Sequence, residues 1–458
     1  MLPVKEAGTT IAVATQNACK ACMPLGACLA YRGVEGAVPF LHGPQGCATY
    51  MRRFLIGHFR EPMDIACSSF SEETAIFGGS PDIHTGLDNV AKAYHPAMIG
   101  IATTCLAETI GEDMGLMLHQ HAEKNADKAS PLVVAASTPS YSGTHADGFH
   151  AATCALVNAL AETDAAQAGR ADVVCFPNMV SPADLRYLKE VLADFGLCHV
   201  LLPDYSETLD RPIAGEYERI PKGGVPISAI RGAGAARASV TLGSAFRPGQ
   251  HPGAALLAKC GVPSLSVGLP VGIRGSDLLF QQLEDLAGKP TPEKHAAERG
   301  RLIDTYVDAH KYLYGKRAVV YGEEDLVTGI ASFLDEIGVV PVVCASGGRS
   351  GGMAEALSAT VSMQRGDIQV LEDADFVEIG EAAEAAKADL LIGNSRGFGL
   401  SRRLDIPLIR VGMPVHDRIG AQRIQLLGYR GAQALCDRIA NAVIARDQER
   451  SEPGYMTM

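Results

Sequence analysis

The sequence predicts an α/β protein of three doubly wound, Rossmann-like domains with parallel sheets. Short apolar runs of strand length alternate with longer segments of helical periodicity, and strands that alternate with helices pair in parallel. This alternation falls into three successive series, over 1–165, 166–300 and 301–458, each of ordinary domain size. Glycine is abundant, at 49 residues, and tryptophan is absent, which suits a chain with many short strand–helix turns.

In the first series, Met23 to about Arg32 reads as a helix with Pro24 in its first turn, where a missing N–H costs little. The strand Ala37–Leu41, the helix Thr49–His58 and the segment Glu72–Phe77 follow. Asp82–Tyr94 carries Ile83, Leu87 and Val90 at helical spacing. The strands Met98–Ala102 and Pro131–Ala136 and the helix His145–Ala161 complete the unit.

The second series opens with the strand Asp172–Phe176. A helix over Ser181–Phe195 follows, with Ser181 as N-cap and Pro182 at its first position. Cys198–Leu202 (strand), Gly253–Lys259 (helix) and Ser264–Leu269 (strand) continue it. After a charged helix over Pro292–Tyr312, the third series runs through the strand Arg317–Tyr321, the helix Glu324–Ile337 and the strands Val339–Cys344, Leu390–Gly393 and Leu408–Val411. It ends in a helix over Gly428–Ala445, and the last dozen residues are polar and expected to be loose.

Composition narrows the function. An apolar fraction of 47% and a charged fraction of 20% belong to a globular protein. The formal charge of −12, with no basic stripe, argues against nucleic acid as the main partner. No apolar run is long enough for a membrane span and no export signal opens the chain, so a cytoplasmic location is expected. The 12 cysteines are then thiols, ligands or core residues rather than disulfides. Cys154, Cys175, Cys198, Cys260, Cys344 and Cys436 lie in apolar runs and are expected to be small buried hydrophobes.

Three other cysteines share one local grammar. Cys22 opens Cys-Met-Pro-Leu-Gly-Ala, and Cys47 and Cys105 each follow an apolar strand and precede a helix. Thiols at helix N-termini meet unpaired N–H groups and the positive end of the dipole, which favour a thiolate and an anionic cluster. Three soft ligands presented this way suggest an iron–sulfur site. Their spacing is neither that of a ferredoxin run nor that of a zinc ribbon. Cys19-Lys-Ala-Cys22 is an isolated Cys-x-x-Cys with no strand before it, which speaks against a redox dithiol, and Cys28 and Cys67 are expected to pack. His42, His58 and His145 are expected to hydrogen-bond or pack rather than ligate. Gly347-Gly-Arg-Ser-Gly-Gly352 reads as a flexible turn, and the chain holds no Gly-x-x-x-x-Gly-Lys-Ser/Thr phosphate loop.

The chain resembles the β subunit of the nitrogenase component 1 family. The resemblance rests on Cys22-Met-Pro-Leu-Gly-Ala, Phe40-Leu-His-Gly-Pro-Gln-Gly-Cys47, His58-Phe-Arg-Glu-Pro62, Ser68-Ser-Phe-Ser-Glu-Glu-Thr-Ala-Ile-Phe-Gly-Gly79, Thr103-Thr-Cys105-Leu-Ala-Glu-Thr-Ile-Gly-Glu-Asp113, Thr138-Pro-Ser140, Glu298-Arg-Gly-Arg-Leu-Ile-Asp304, Asp417-Arg and Gly428-Tyr-Arg-Gly431. Together these span nearly the whole chain in order.

The resemblance implies an 8Fe-7S P-cluster shared with a homologous α subunit in an α2β2 heterotetramer, the alternative being a 4Fe-4S cluster. Cys22, Cys47 and Cys105 would be its ligands here, and Ser140 the serine that joins on oxidation. Gly43 and Gly46 would let backbone approach the sulfides. The resemblance also implies a separate ATP-dependent 4Fe-4S reductase that docks transiently, electrons passing on to a metallocluster on the α subunit. Within the family, the short lead before Cys22, His58-Phe-Arg-Glu-Pro62 and Ile406-Pro-Leu-Ile-Arg410 followed by Asp417-Arg-Ile-Gly-Ala-Gln lean away from the molybdenum nitrogenase β chain toward the cofactor-maturation scaffold and the methylthio-alkane reductase, and the presence of all three cysteines and the serine position favours the reductase, which cleaves carbon–sulfur bonds. A cofactor-maturation scaffold or a nitrogenase β subunit proper are the alternatives.

Overall fold

The computed structural model describes residues 19–451 except 128–129, 164–170, 214, 217, 247–250 and 363–367. The expected break between the first two series and the final residues of the chain lie outside the described residues.

The chain runs α1 (Met23–Arg32), β1 (Ala37–His42), α2 (Gln45–Phe59), β2 (Ala66–Cys67), α3 (Glu72–Phe77), α4 (Ser80–Tyr94), β3 (Met98–Thr103), α5 (Cys105–Thr109), α6 (Met114–Lys124), β4 (Leu132–Ala136) and α7 (His145–Leu160). It continues with β5 (Val173–Phe176), α8 (Pro182–Asp194), β6 (His199–Leu201), α9 (Ile227–Gly232), β7 (Ala238–Leu242), α10 (Pro252–Cys260), β8 (Ser264–Val267), α11 (Gly272–Ala287) and α12 (Glu293–Leu313). The last part is β9 (Arg317–Gly322), α13 (Glu324–Glu336), β10 (Val340–Ser346), α14 (Met353–Thr360), β11 (Gln369–Leu371), α15 (Phe376–Ala385), β12 (Leu390–Gly393), α16 (Phe398–Leu404), β13 (Leu408–Arg410) and α17 (Gly428–Arg450).

Three parallel sheets result, in strand orders β2-β1-β3-β4, β6-β5-β7-β8 and β11-β10-β9-β12-β13. Strands β1 and β3 are buried at every residue, as both faces of a helix-covered parallel sheet require. The expected strands and long helices are present. β2, α6, α9, β7, α11, α14, β11, α15 and α16 were not anticipated. Helix α17 is longer than expected and packs along α12 and α11.

Helices α1 and α7 cross with their backbones in contact. A Cβ on Gly26 would lie 1.7 Å from the carbonyl oxygen of His145, and one on Gly148 would lie 1.8 Å from that of Met23. Helix α1 is also seated on the first sheet. The Tyr31 ring occupies the space a Cβ on Gly100 would fill, and its hydroxyl donates to the Ile101 carbonyl at 3.1 Å.

Buried carboxylates tie the second and third sheets together. Ser181 and Asp184 form a capping box at the start of α8. Asp184 also accepts the N–H groups of Leu426 and Leu427, at 2.7 and 2.9 Å. Asp325 accepts those of Ser244 and Ala245, at 2.6 and 2.9 Å, and the Asn178 amide at 2.8 Å. Glu324 accepts the Ser350 N–H at 2.9 Å, so the Gly347–Gly352 segment is a hydrogen-bonded loop rather than a flexible turn.

Gly26→Ala should destabilise the chain by about 3 kcal/mol or more, because the added methyl meets backbone that cannot rotate away. The thermal midpoint reports it, and an unchanged midpoint would refute the close crossing. Burial raises the Glu324 carboxyl from 4.5 to about 7. Its contribution to stability is therefore full below pH 4.5 and is lost as pH rises through about 7. Glu324→Gln should flatten that part of the stability–pH curve, and parallel wild-type and variant curves would contradict it.

Candidate functional site

In the first sheet the strand order reverses between β1 and β3, and the crevice beyond the carboxyl ends of such strands is where open α/β sheets receive ligands. Cys47 and Cys105 flank this crevice. Helix α2 starts at Gln45, earlier than expected, so Cys47 lies in its first turn, while Cys105 is the first residue of α5. Cys22 arrives from the other side as N-cap of α1. None of these three helices is capped by the side chain of its own N-cap residue, and the first N–H of α1 goes instead to Ser140 Oγ at 3.1 Å.

The loops bearing the cysteines are locked together. Thr104 donates its N–H (3.1 Å) and hydroxyl (3.0 Å) to the His42 carbonyl. A Cβ on Gly43 would fall 2.1 Å from Thr104 Oγ1. Gly43 therefore serves this loop contact, and a Cβ on Gly46 would meet nothing within 4 Å, so the chain leaves open space there. Ser68 Oγ accepts the Gly43 N–H at 2.9 Å and bonds His42 Nδ1 at 3.1 Å. The other ring nitrogen of His42 meets Glu112, which also accepts the Gly79 N–H.

The β4 side is tied in the same way. Thr138 donates its N–H to Thr103 Oγ1 (2.9 Å) and its hydroxyl to the Thr103 carbonyl (2.7 Å). Glu108 accepts the hydroxyls of Thr103 and Ser137. Ser140 then bridges two of the cysteine segments. Its N–H donates to Cys105 Sγ at 3.2 Å, and its hydroxyl accepts the N–H of Met23, beside Cys22, at 3.1 Å.

Burial pushes the Cys47 thiol up, and nearby Cys22, Cys105 and Cys67 push it further, which places the four sulfur groups within electrostatic reach of one another. Among the described residues no set of three or more His, Cys, Asp or Glu side chains closes round a point as a single ion requires. All three cysteines are free thiols. Cys105 is exposed, Cys22 and Cys47 are half-buried, and Tyr141 nearby is 68% exposed. A shallow depression beside α5, between Ile76–Gly78 and Ile110–Asp113, exposes Phe77 at 81%.

The remaining candidates are structural. Cys19 is buried in the core of the third sheet and its thiol is pushed up to about 12, so it is no dithiol partner for Cys22. Cys28 is fully buried in α1. Cys67 ends β2 with its sulfur 3.4 Å from Ser69 Oγ, beside the site though not anticipated there. Of the six cysteines expected to be buried, Cys175, Cys344 and Cys436 are, Cys154 and Cys260 are half-buried, and Cys198 is exposed just ahead of β6. His58 accepts the Val415 N–H at 3.0 Å and is lowered to about 3 by burial. His145 Nδ1 accepts the Ala21 N–H at 3.3 Å, and Nε2 lies 2.8 Å from Glu323. Arg410 and Asp417 form a two-pronged ion pair, at 2.8 and 2.6 Å, that clips the segment after β13. No helix among the described residues is long and apolar enough to cross a membrane.

Residues 22–444 match the family model described as nitrogenase component 1 type oxidoreductase. The chain is 34% identical to the nitrogenase molybdenum-iron protein beta chain of Clostridium pasteurianum, over 96% of this chain and 95% of that one. To the chain of the same name from Methanothermobacter marburgensis it is 32% identical, over 99% and 98%. A chain of the solved structure titled "Nitrogenase Cp1 at pH 6.5" superposes with a TM-score of 0.93 at 31% identity, covering 100% of this chain and 98% of that one. Chains named as molybdenum-iron beta chains thus match over almost their full length, so the short lead before Cys22 does not set this chain apart from them.

In the apo chain, native alkylation should modify exposed Cys105 and Cys198 first. Cys19, Cys175 and Cys344, each pushed up to about 12 by burial, should react only after unfolding. Peptide mapping reads the order, and early labelling of Cys175 would contradict it.

Proposed function

The chain belongs to the nitrogenase component 1 type oxidoreductase family as a β-type subunit, and from that premise we propose that it relays electrons through an interfacial iron–sulfur cluster. Cys22, Cys47 and Cys105 would supply thiolates to an 8Fe-7S P-cluster completed by a homologous α subunit in an α2β2 assembly. When bound, such a cluster stores and passes single electrons with little rearrangement. A separate ATP-dependent 4Fe-4S reductase would supply the electrons, because the chain carries no phosphate loop of its own.

The chain's own contribution is orientation and charge compensation. The starts of α2 and α5 offer N–H groups, and all three helices offer dipole ends, to a negatively charged group. The Ser140 N–H donates to Cys105 Sγ and orients it, and the Ser140 hydroxyl is held against the start of α1, beside Cys22. The observation that carries the reading is this gathering of Cys22, Cys47, Cys105 and Ser140 at an exposed edge of the first sheet's switch point. The exposed Tyr141 and Phe77 fit a partner subunit that covers this edge.

Within the family, the printed names of the relatives favour a nitrogenase β subunit proper, and the sequence features noted above favour methylthio-alkane reduction, with release of methanethiol and a hydrocarbon. Of those features, the Arg410–Asp417 pair is a structural clip. Substrate choice would rest with the α subunit's cavity, so turnover of the purified complex on dinitrogen against a methylthio-alkane separates the two.

Cys47→Ala and Cys105→Ala should each leave the chain folded, lower iron in the anaerobically purified complex and abolish turnover. Wild-type iron content and turnover in both would defeat the ligand assignment. An iron and sulfide count matching a single 4Fe-4S cluster would instead support a maturation scaffold.

A further inference from the structure

Two histidines hold the joint between α4 and α6. Helix α6 has no buried residue, and its Met114, Met117 and Leu118 are only half-buried against the small apolar cluster that includes Ile83 and Leu87. Beside this thin contact, His84 of α4 meets His121 of α6, with Nδ1 3.3 Å from Nδ1. The ring planes are 9° apart and the ring centroids 5.5 Å apart. The difference between 5.5 and 3.3 Å is close to the sum of the two ring radii, so the imidazoles lie end to end in nearly one plane rather than face to face. That is the arrangement of an N–H···N hydrogen bond.

The neighbours fix where each proton sits. The Asn125 amide donates to the His121 carbonyl at 3.1 Å, which orients its nitrogen, and the same nitrogen lies 3.4 Å from His121 Nε2. An amide nitrogen only donates, so Nε2 accepts and His121 carries its proton on Nδ1. That proton is donated to His84 Nδ1, and His84 holds its own on Nε2, 3.4 Å from Ser80 Oγ. The series Asn125–His121–His84–Ser80 is thus complete with one proton on each ring. A further proton must go to His84 Nδ1 or His121 Nε2, and either position sets one N–H against another. Both rings are half-buried, so solvent protons reach them.

This series abuts the depression that exposes Phe77. Ser80 lines it, and so do Leu116 and Gln120 of α6. We infer that the His84–His121 hydrogen bond is a pH-sensitive latch, which holds α6 on α4 while both rings are neutral and on protonation releases α6 and with it one wall of the depression. The charged groups around the pair agree in sign. Burial lowers His84 from 6.5, Lys124 on α6 and His121 lower it further, and Asp88 on α4 opposes them. The latch therefore contributes fully above pH 6.5, and its contribution is lost as pH falls below that through the lowered value. His119 and Glu123, 3.3 Å apart on α6, form an exposed pair that takes no part in the series. The latch is separate from the cysteines and does not depend on which cluster they hold.

The test is hydrogen–deuterium exchange of the purified complex at about pH 7.5 and about pH 5.5, either side of the ordinary histidine range. Corrected for the pH dependence of chemical exchange, protection of residues 114–124 should fall several-fold at the lower pH while that of β3 holds. Glutamine keeps a hydrogen-bonding side chain that takes no proton, so His84→Gln and His121→Gln should each abolish the fall, and His119→Gln should retain it. If one of the first two variants does not fold, the other decides. No fall in the wild type, an equal fall in β3 or in the folded His84→Gln and His121→Gln variants, or its loss in His119→Gln would overturn the inference.

Discussion

The site depends first on the contact between α1 and α7. Gly26 and Gly148 let the two helices cross at a distance no side chain permits, each filling the space over a carbonyl of the other. That crossing fixes where α1 begins, and Cys22 caps that beginning. It also fixes α7, whose approach from β4 carries Ser140 past Cys105. A shift of one helix turn would separate Cys22 from Ser140 and leave Cys47 and Cys105 facing each other without a third thiol. Packing density tolerates no slack at such a backbone contact.

From this crossing outward, the geometry follows from parallel-sheet topology. In each sheet the chain builds one way and then the other from a central pair of strands, which leaves a crevice at the carboxyl edge. The first sheet fills its crevice with loops bearing thiols, held by the pairing of Gly43 with Thr104 and of Thr138 with Thr103. Neutral hydroxyls and carbonyls make these ties, so the thiols face the opening rather than bonding to the scaffold. The one exception is Cys105, whose sulfur accepts the Ser140 N–H.

How far this was legible in the sequence depended on the type of signal. Parallel strands buried on both faces, such as Met98–Thr103, appear as unbroken apolar runs, and Ser181-Pro182 announces a helix start; both elements are where the sequence put them. Strand β7, Ala-Ser-Val-Thr-Leu, was missed because Ser239 and Thr241 give it the look of a half-exposed segment, although it is buried throughout. Helix α11 was missed because it opens on Gly272 at a φ of 85°, with no capping side chain, its leading N–H groups going to the distant Glu336. The nearness of Cys22 to Ser140 rests on a tertiary helix crossing, and no local pattern reports that. Cys67 ends a two-residue strand too short to be seen, so its place beside Cys47 could not be read either. The site residues were reached by resemblance, and the helix-start logic explains why those positions suit thiolates.

The two crevice regions answer one electrostatic problem in opposite ways. Helix N-termini concentrated at a carboxyl edge produce positive potential that something must offset. At the junction of the second and third sheets the chain supplies its own anions. Asp147 and Asp184 complete capping boxes, and Asp325 takes backbone N–H groups from the segment after β7. At the first sheet α1, α2 and α5 begin without side-chain caps, and the groups placed there are cysteines. Uncapped N–H groups at an exposed edge turn to water, to an anion or to a partner surface. The junction of the second and third sheets draws on the chain's own carboxylates while the first crevice leaves the starts of α2 and α5 open, and the difference lies in which residue follows each strand.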